Sequence, residues 1–229
     1  MNTDTLPQAP SIAAWQNLQK DIVALCQELQ RPVEEVELIA VSKTVSIEDI
    51  RPLLQAGQSL FAENRVQEAA QKWPCLRQKF ENIKLHLIGP LQSNKAAEAV
   101  KIFDVIQTVD REKIAKVLAE EMQKQQKHLP CYVQVNTGLE PQKTGIAPQE
   151  VISFVSQCKN NYGLDIIGLM AIPPVEENPG PYFALLEKLA KQAGLPKLSM
   201  GMSNDFTTAL QFGSNVLRIG SALFGKRPG

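Results

Sequence analysis

The sequence is poor in the residues that build metal centres. Among its 229 residues there are two histidines, His86 and His128, which nearly excludes a multi-histidine site. Its four cysteines, Cys26, Cys75, Cys131 and Cys158, stand far apart with no CxxC spacing. Reduced, mostly buried thiols are therefore expected, not disulfides or a zinc site. Charge of neither sign is in excess, since Lys plus Arg and Asp plus Glu both number 24. Neither nucleic acid nor an anionic membrane is expected as a partner. No apolar run approaches the ~18 residues of a membrane span, and the start MNTDTLPQAP lacks the charged and apolar parts of a signal peptide. The expected location is the cytoplasm. No Gly-rich dinucleotide fingerprint follows the first candidate strand, which argues against a doubly wound open sheet.

What is present is a rhythm. After a tail expected to be flexible over residues 1–10, Ser11 is placed to cap a helix whose apolar positions Ile12, Trp15, Leu18, Ile22, Leu25 and Leu29 keep steps of three and four. Short apolar strands follow, expected near Leu38–Ser42, Ser59–Ala62, Lys84–Ile88, Val105–Thr108, Tyr132–Asn136, Ile166–Ala171, Lys197–Met200 and Val216–Ile219. Between them lie helical patterns over Ile47–Gln55, Asn64–Lys72, Asn94–Val100, Arg111–Gln126, Gln149–Lys159, Tyr182–Ala193 and Phe206–Phe212. Eight such units predict an α/β fold, a single (β/α)8 barrel of the TIM type with an extra N-terminal helix, spanning residues 11–229 as one domain.

Two regions carry chemistry. In LIAVSKT, Leu38 to Thr44, an apolar strand runs into Lys43, and Ile39, Val41 and Lys43 share a face by period-two counting. Desolvation at the end of an inward row would lower the lysine pKa and free the amine to attack an aldehyde. The second region is Lys197 to Gly225. Here Met200-Gly201-Met202-Ser203 and Gly220-Ser221 stand where strands end and helices begin. In an eight-stranded barrel those turns follow strands seven and eight, the customary phosphate position; taken singly, they read as ordinary turns with Ser203 as a helix cap. Arg218, inside an apolar strand, calls for a partner, usually a buried carboxylate. Glu63, Asn64, His86, Gln92, Ser93, Asn94, Lys95, Gln134 and Asn136 fall at strand ends and could line a mouth. His86 stands out, although a lone strand histidine is more often a satisfied core residue.

Long segments in a fixed order carry a resemblance: AVSKT at Ala40–Thr44, ENRVQE at Glu63–Glu68, LHLIGPLQSNK at Leu85–Lys95, VQVNTG at Val133–Gly138, KTG at Lys143–Gly145, GLMAIPP at Gly168–Pro174, then SMGMSNDF and GSNVLRIGSALFG. The chain resembles the pyridoxal phosphate homeostasis proteins, a single-domain family similar to the N-terminal barrel domain of bacterial alanine racemase. Ala62 stands where the family usually has glycine, and Leu85 where an aromatic is common.

The resemblance implies that Lys43 carries pyridoxal 5'-phosphate as a Schiff base and that Met202, Ser203, Gly220 and Ser221 hold its phosphate. It further implies that Asn64 belongs to the cofactor site and that Arg218 approaches the pyridine nitrogen, where a guanidinium disfavours ring protonation and weakens the electron sink. The function implied is a non-catalytic one in intracellular vitamin B6 homeostasis and amino-acid and keto-acid balance. A monomer is expected. Racemisation needs a base on each face of the substrate carbon, and the sequence runs only to Gly229 after Ser221, so efficient racemisation is not expected. A slow racemase or lyase using the same cofactor, and a Schiff-base aldolase on phosphorylated sugars, are the alternatives.

Overall fold

The computed structural model describes residues 9–225, and its eight parallel strands close into a barrel in sequence order. They are β1 (Glu37–Val41), β2 (Leu60–Glu63), β3 (Lys84–Leu87), β4 (Val105–Val109), β5 (Cys131–Val135), β6 (Ile166–Ala171), β7 (Lys197–Ser199) and β8 (Val216–Ile219). Closure comes from β1, which pairs with β2 through Ala40 and Phe61 and with β8 through Ile39 and Arg218. Each strand matches its expected place to within a residue or two, because a buried parallel strand reads as an apolar run bounded by turn residues.

Side-chain alternation divides the core into two. Ile39, Val41, Ala62, Val105, Tyr132, Met170 and Val216 pack together as an inner cluster within the barrel lumen. Their neighbours of opposite parity, such as Ala40, Phe61, Leu85, Val133 and Leu217, face the helices. The Tyr132 ring lies against the neighbouring strand β6 because β6 offers no side chain at Gly168. A Cβ there would lie 2.7 Å from the Tyr132 ring and 2.3 Å from the Lys197 carbonyl oxygen.

The outer ring consists of α2 (Ile47–Gln55), α3 (Val66–Arg77), α4 (Ala96–Ile102), α5 (Glu112–Lys124), α6 (Val151–Asn160), α7 (Gly180–Gln192) and two short pieces, α8 (Phe206–Gln211) and α9 (Ser221–Phe224). Ser46 caps α2 by accepting the Asp49 N–H at 3.1 Å. The last two helices have 6 and 4 residues, too short to cover the seam between β8 and β1. The N-terminal helix α1 (Pro10–Glu28) supplies the missing cover, packing against α2, α8 and α9 with Leu18, Ile22 and Cys26 buried. Two tethers fix it: the Trp15 indole N–H donates to Gln58 Oε1 at 2.8 Å, and Arg31 donates to the carbonyls of Leu210 and Ser214.

The start of α1 differs from expectation. Pro10 opens the helix, whose missing N–H suits a first-turn position, and no side chain caps it, so Ser11 is helical. Residue 10 therefore leaves the expected tail, and the rest of that tail up to residue 8 lies outside the described residues. The cysteines are all free, with Cys26, Cys131 and Cys158 buried and Cys75 exposed. Burial raises the Cys158 thiol to about 12 and pushes Cys131 higher still. No described helix is long and apolar enough to cross a membrane.

Gly168→Ala should lower unfolding free energy by about 1–3 kcal/mol, the usual cost of forcing atoms into a packed interior. Equilibrium urea unfolding measures it, and an unchanged midpoint would show that β6 and β7 have slack the packing does not suggest.

Candidate functional site at the C-terminal rim

All strands run the same way, so their C-terminal ends share one rim. Lys43 follows β1 by two residues, Asn64 follows β2, Met200 to Ser203 follow β7, and Gly220-Ser221 follow β8. Because β1 and β8 are neighbours, the lysine and the second small-residue turn emerge side by side. Lys43 stands in the turn that follows the inner row of Ile39 and Val41 and is half-buried, not enclosed. Among the described residues its amine has no hydrogen-bond or ion-pair partner.

The turn that carries Lys43 is clamped from behind. Glu63, at the end of β2, points away from the lumen toward α3 and is fully buried. Its Oε1 accepts from Ser42 Oγ at 2.8 Å, from the Trp73 indole N–H at 3.1 Å and from Lys72 Nζ at 2.8 Å. Lys72 Nζ also meets Glu68 Oε1 at 2.7 Å and donates to the carbonyls of Ser42 at 2.8 Å and Val45 at 3.2 Å. Glu68 Oε1 in turn accepts the Thr44 N–H at 2.5 Å, holding Thr44 at a φ of 60°. One ammonium shared by two carboxylates and two carbonyls thus fixes the backbone on both sides of Lys43. Burial raises the Glu63 carboxyl above the ordinary carboxylate range, and the Lys72 ammonium opposes that rise.

The two small-residue turns are joined to each other. Ser203 Oγ accepts the Ala222 N–H at 3.1 Å, linking the turn after β7 to the first turn of α9. Ser203 therefore does not cap α8, which begins later, at Phe206 after Asp205; the Asp205 carboxylate instead accepts the Met202 N–H at 2.6 Å. Arg218 lies within the lumen, 3 % exposed, and its partners are the Ser199 hydroxyl at 2.6 Å and the Ala171 carbonyl at 2.9 Å. The expected carboxylate is absent among the described residues. Neutral acceptors suffice because a guanidinium's donors can be met by a hydroxyl and a backbone oxygen. Burial lowers Arg218 to about 10, so it stays charged at neutral pH.

Several mouth candidates have other duties. His86 sits inside β3, 3 % exposed, in register with Ala62 and within 2.9 Å of the Gln107 amide. It is a satisfied core residue below the rim, and burial depresses it to about 3, with the Lys84 charge a smaller cause. Asn136 bonds its own loop at Glu140 and Lys143, and Gln134 donates to Thr144. Gln92 and Asn94 are exposed, and Asn94 lies with Ser93 and Lys95 in a short 3-10 turn that Gln92 precedes. Asn64 is different: its Oδ1 is buried without a partner among the described residues, as is Thr137 Oγ1 at the end of β5. Buried acceptors of this kind are positions a bound molecule can satisfy. Gly89 lets Asn64 sit there, since a Cβ on it would come within 2.0 Å of the Asn64 carbonyl oxygen.

The residues that sequence reasoning missed are Lys72, Glu68, Gln107 and Ser199. Gln107 and Ser199 had a signal, being polar residues at inward parity in apolar strands. The Lys72 and Glu68 pair had only helical i, i+4 spacing, which usually marks a solvated face.

A barrel with an amine at its rim, paired small-residue turns and a buried arginine beneath defines a class, and residues 16–228 match the family described as alanine racemase, N-terminal domain. The chain is 40% identical over 220 residues to the pyridoxal phosphate homeostasis protein of Pasteurella multocida, covering 92% of this chain and 94% of that one. It is 35% identical to that of Escherichia coli, covering 90% and 92%. PipY of Synechococcus elongatus, solved with PLP bound, is 35% identical with a TM-score of 0.77, covering 90% of this chain and 100% of that one. The chain belongs to the pyridoxal phosphate homeostasis protein family. Alanine racemase of Clostridium difficile, 15% identical at a TM-score of 0.69, shares the fold across 92% of this chain and 57% of its own length.

Two measurements test the buried groups. Lys72→Met removes the cation from two carboxylates and should cost about 3–5 kcal/mol in urea unfolding, as breaking a buried ion pair does; a loss below about 1 kcal/mol would mean that water already screens the cluster. His86 gives a pH signature. Between its folded value of about 3 and the ordinary 6.5, the unfolded chain binds a proton that the folded chain refuses. Stability therefore falls as pH drops through that window, by about 1.4 kcal/mol for each unit from this residue alone. His86→Gln should flatten that limb of the Tm-against-pH curve relative to the native chain; parallel curves would show that His86 becomes protonated in the folded state.

Proposed function

We propose that this protein binds pyridoxal 5'-phosphate at the rim and acts as a carrier or regulator of the free cofactor, without catalysis of its own. One observation carries the reading: a partnerless, half-buried amine at Lys43 shares one end of one lumen with the joined turns after β7 and β8 and stands above a charged arginine. Amine, anion cradle and donor correspond to the aldehyde, phosphate and ring nitrogen of that molecule. The relatives named as homeostasis proteins, and PipY with PLP bound, support it.

Each group has a defined task. The cofactor, when bound, supplies an aldehyde carbon to which the Lys43 nitrogen adds with loss of water. The Lys72 clamp holds the turn so that the amine faces inward. Ser203, Gly220 and Ser221 present small side chains and hydroxyls where a phosphate has room to approach backbone N–H groups. Asn64 Oδ1 and Thr137 Oγ1 offer further polar contacts.

The reading as a carrier follows from what the lumen withholds. Proton abstraction needs a base near its working pH. Arg218 stays charged, His86 is sealed and engaged, and burial raises the Tyr132 phenol far above neutrality. Among the described lumen residues, these leave no second base to work with Lys43.

Incubation with pyridoxal phosphate followed by borohydride should add the mass of the reduced cofactor to the peptide bearing Lys43. Lys43→Ala should abolish the adduct while leaving the melting temperature within a degree or two, since a rim side chain with no partner contributes little to stability. A native chain that carries no adduct on Lys43 would end this reading.

A further inference from the structure

Four polar side chains inside the lumen form one chain. Arg218 Nη1 donates to Ser199 Oγ at 2.6 Å, Ser199 Oγ donates to Gln107 Oε1 at 2.6 Å, and the Gln107 amide nitrogen lies 2.9 Å from His86 Nδ1. The chain crosses the barrel from β8 through β7 and β4 to β3, and none of the four residues is more than 3 % exposed. It lies below Lys43: Arg218 is in register with Ile39, four residues earlier on the same inner row.

Chemistry fixes the direction of this chain. Arginine has only donors, so Ser199 accepts from it and must place its own proton elsewhere. The acceptor in reach is the Gln107 carbonyl oxygen. That orients the amide, turns its NH2 toward His86, and makes Nδ1 the acceptor with the ring proton on Nε2. With Ala171 O taking Nη2, every direct partner of the guanidinium is neutral. Asp205 and Tyr132 act on it only through space.

A glutamate at position 107 would have nearly the same size. As a carboxylate it would accept from Ser199 but could not donate to a bare Nδ1, so His86 would gain a proton. The amide therefore does something that volume does not require.

We propose that Gln107 is a positioning residue, one that holds Arg218 as a charged floor without direct carboxylate contact by giving its carbonyl to Ser199 and its amide to His86. This rests on the reading of the rim as a pyridoxal phosphate site. There, a ring nitrogen above the floor meets a group that can only donate, and it stays unprotonated. A carboxylate introduced into the chain offsets the guanidinium's charge and raises the proton affinity of groups nearby.

The test has an arm that needs no cofactor. With two histidines in the chain, one of them the exposed His128, nitrogen-15 imidazole spectra resolve His86 directly. The native protein should show His86 neutral, with its proton on Nε2 and Nδ1 bare. Gln107→Glu should convert His86 toward the doubly protonated ring and should shift the absorbance of bound pyridoxal phosphate. Gln107→Leu, which deletes both bonds, should weaken cofactor binding about tenfold, the net worth of about one buried hydrogen bond.

A native His86 protonated on Nδ1 overturns the proposal whether or not the variants fold. A folded Gln107→Glu whose histidine and cofactor spectra both match the native protein also overturns it, as does Gln107→Leu binding with native affinity. Borohydride capture on Lys43, run in parallel, separates this proposal from the one beneath it: without capture in the native chain the cofactor reading fails, and the tautomer result still stands.

Discussion

A guanidinium sealed inside a closed barrel is the constraint around which the rest of this structure is arranged. An unpaired buried charge costs several kcal/mol unless its donors are met. Among the described residues the usual remedy, a carboxylate, makes no direct contact with Arg218, and its donors instead meet a hydroxyl and a carbonyl at 2.6 and 2.9 Å. Once that choice is made, other positions lose their freedom. Ser199 must be a hydroxyl, Gln107 must offer its oxygen to it, and His86 must stay neutral. An apolar lumen below, filled by Tyr132 and Met170, keeps water from competing for the same donors.

The site joins two networks of opposite character. Below is the neutral chain just described, in which protons have one arrangement. Behind the rim is an ionic cluster, in which Lys72 is shared between Glu63 and Glu68 and fixes the backbone around Lys43. The first determines which charge a ligand meets in the lumen; the second determines where the reactive amine stands. Neither network touches the other, because strand alternation puts Glu63 outside and Ala62 inside. A single strand, β2, therefore serves the clamp with one face and the lumen with the other.

The fold was legible in the sequence because its signals are local. Apolar runs such as Ile166–Ala171 and Val216–Ile219 are bounded by turn residues, and both fall where they were expected. The same period-two count placed Ile39 and Val41 on the inner row correctly. Legibility stopped where a side chain's partner lies far along the chain. Ser199 and Gln107 are 92 positions apart, and no window contains both, so Arg218 was matched with a hypothetical carboxylate. Glu63 looked like a mouth residue because it ends a strand, yet parity sends it to α3. Ser11 was read as a helix cap on residue type, and a cap was the ordinary alternative to a phosphate ligand for Ser203. Pro10 opens one helix instead, and Ser203 spends its hydroxyl on a turn that closes only in three dimensions.

The contrast between floor and rim bears on holding a cofactor as opposed to using it. An enzyme that draws electrons into a pyridine ring gains from a proton on the ring nitrogen, and a carboxylate near that nitrogen supports it. Here the direct partners of Arg218 are neutral, and among the described residues of the lumen Arg218 stays charged while His86 is engaged by Gln107. At the same time the amine is half exposed and the cradle turns lie at an open rim, so entry and exit need no opening of the core. On the carrier reading proposed above, a lumen whose polar groups are engaged with one another and an open rim suit reversible retention. The same polar chain that makes the interior stable with a charge in it therefore also limits what the charge allows a bound ring to do.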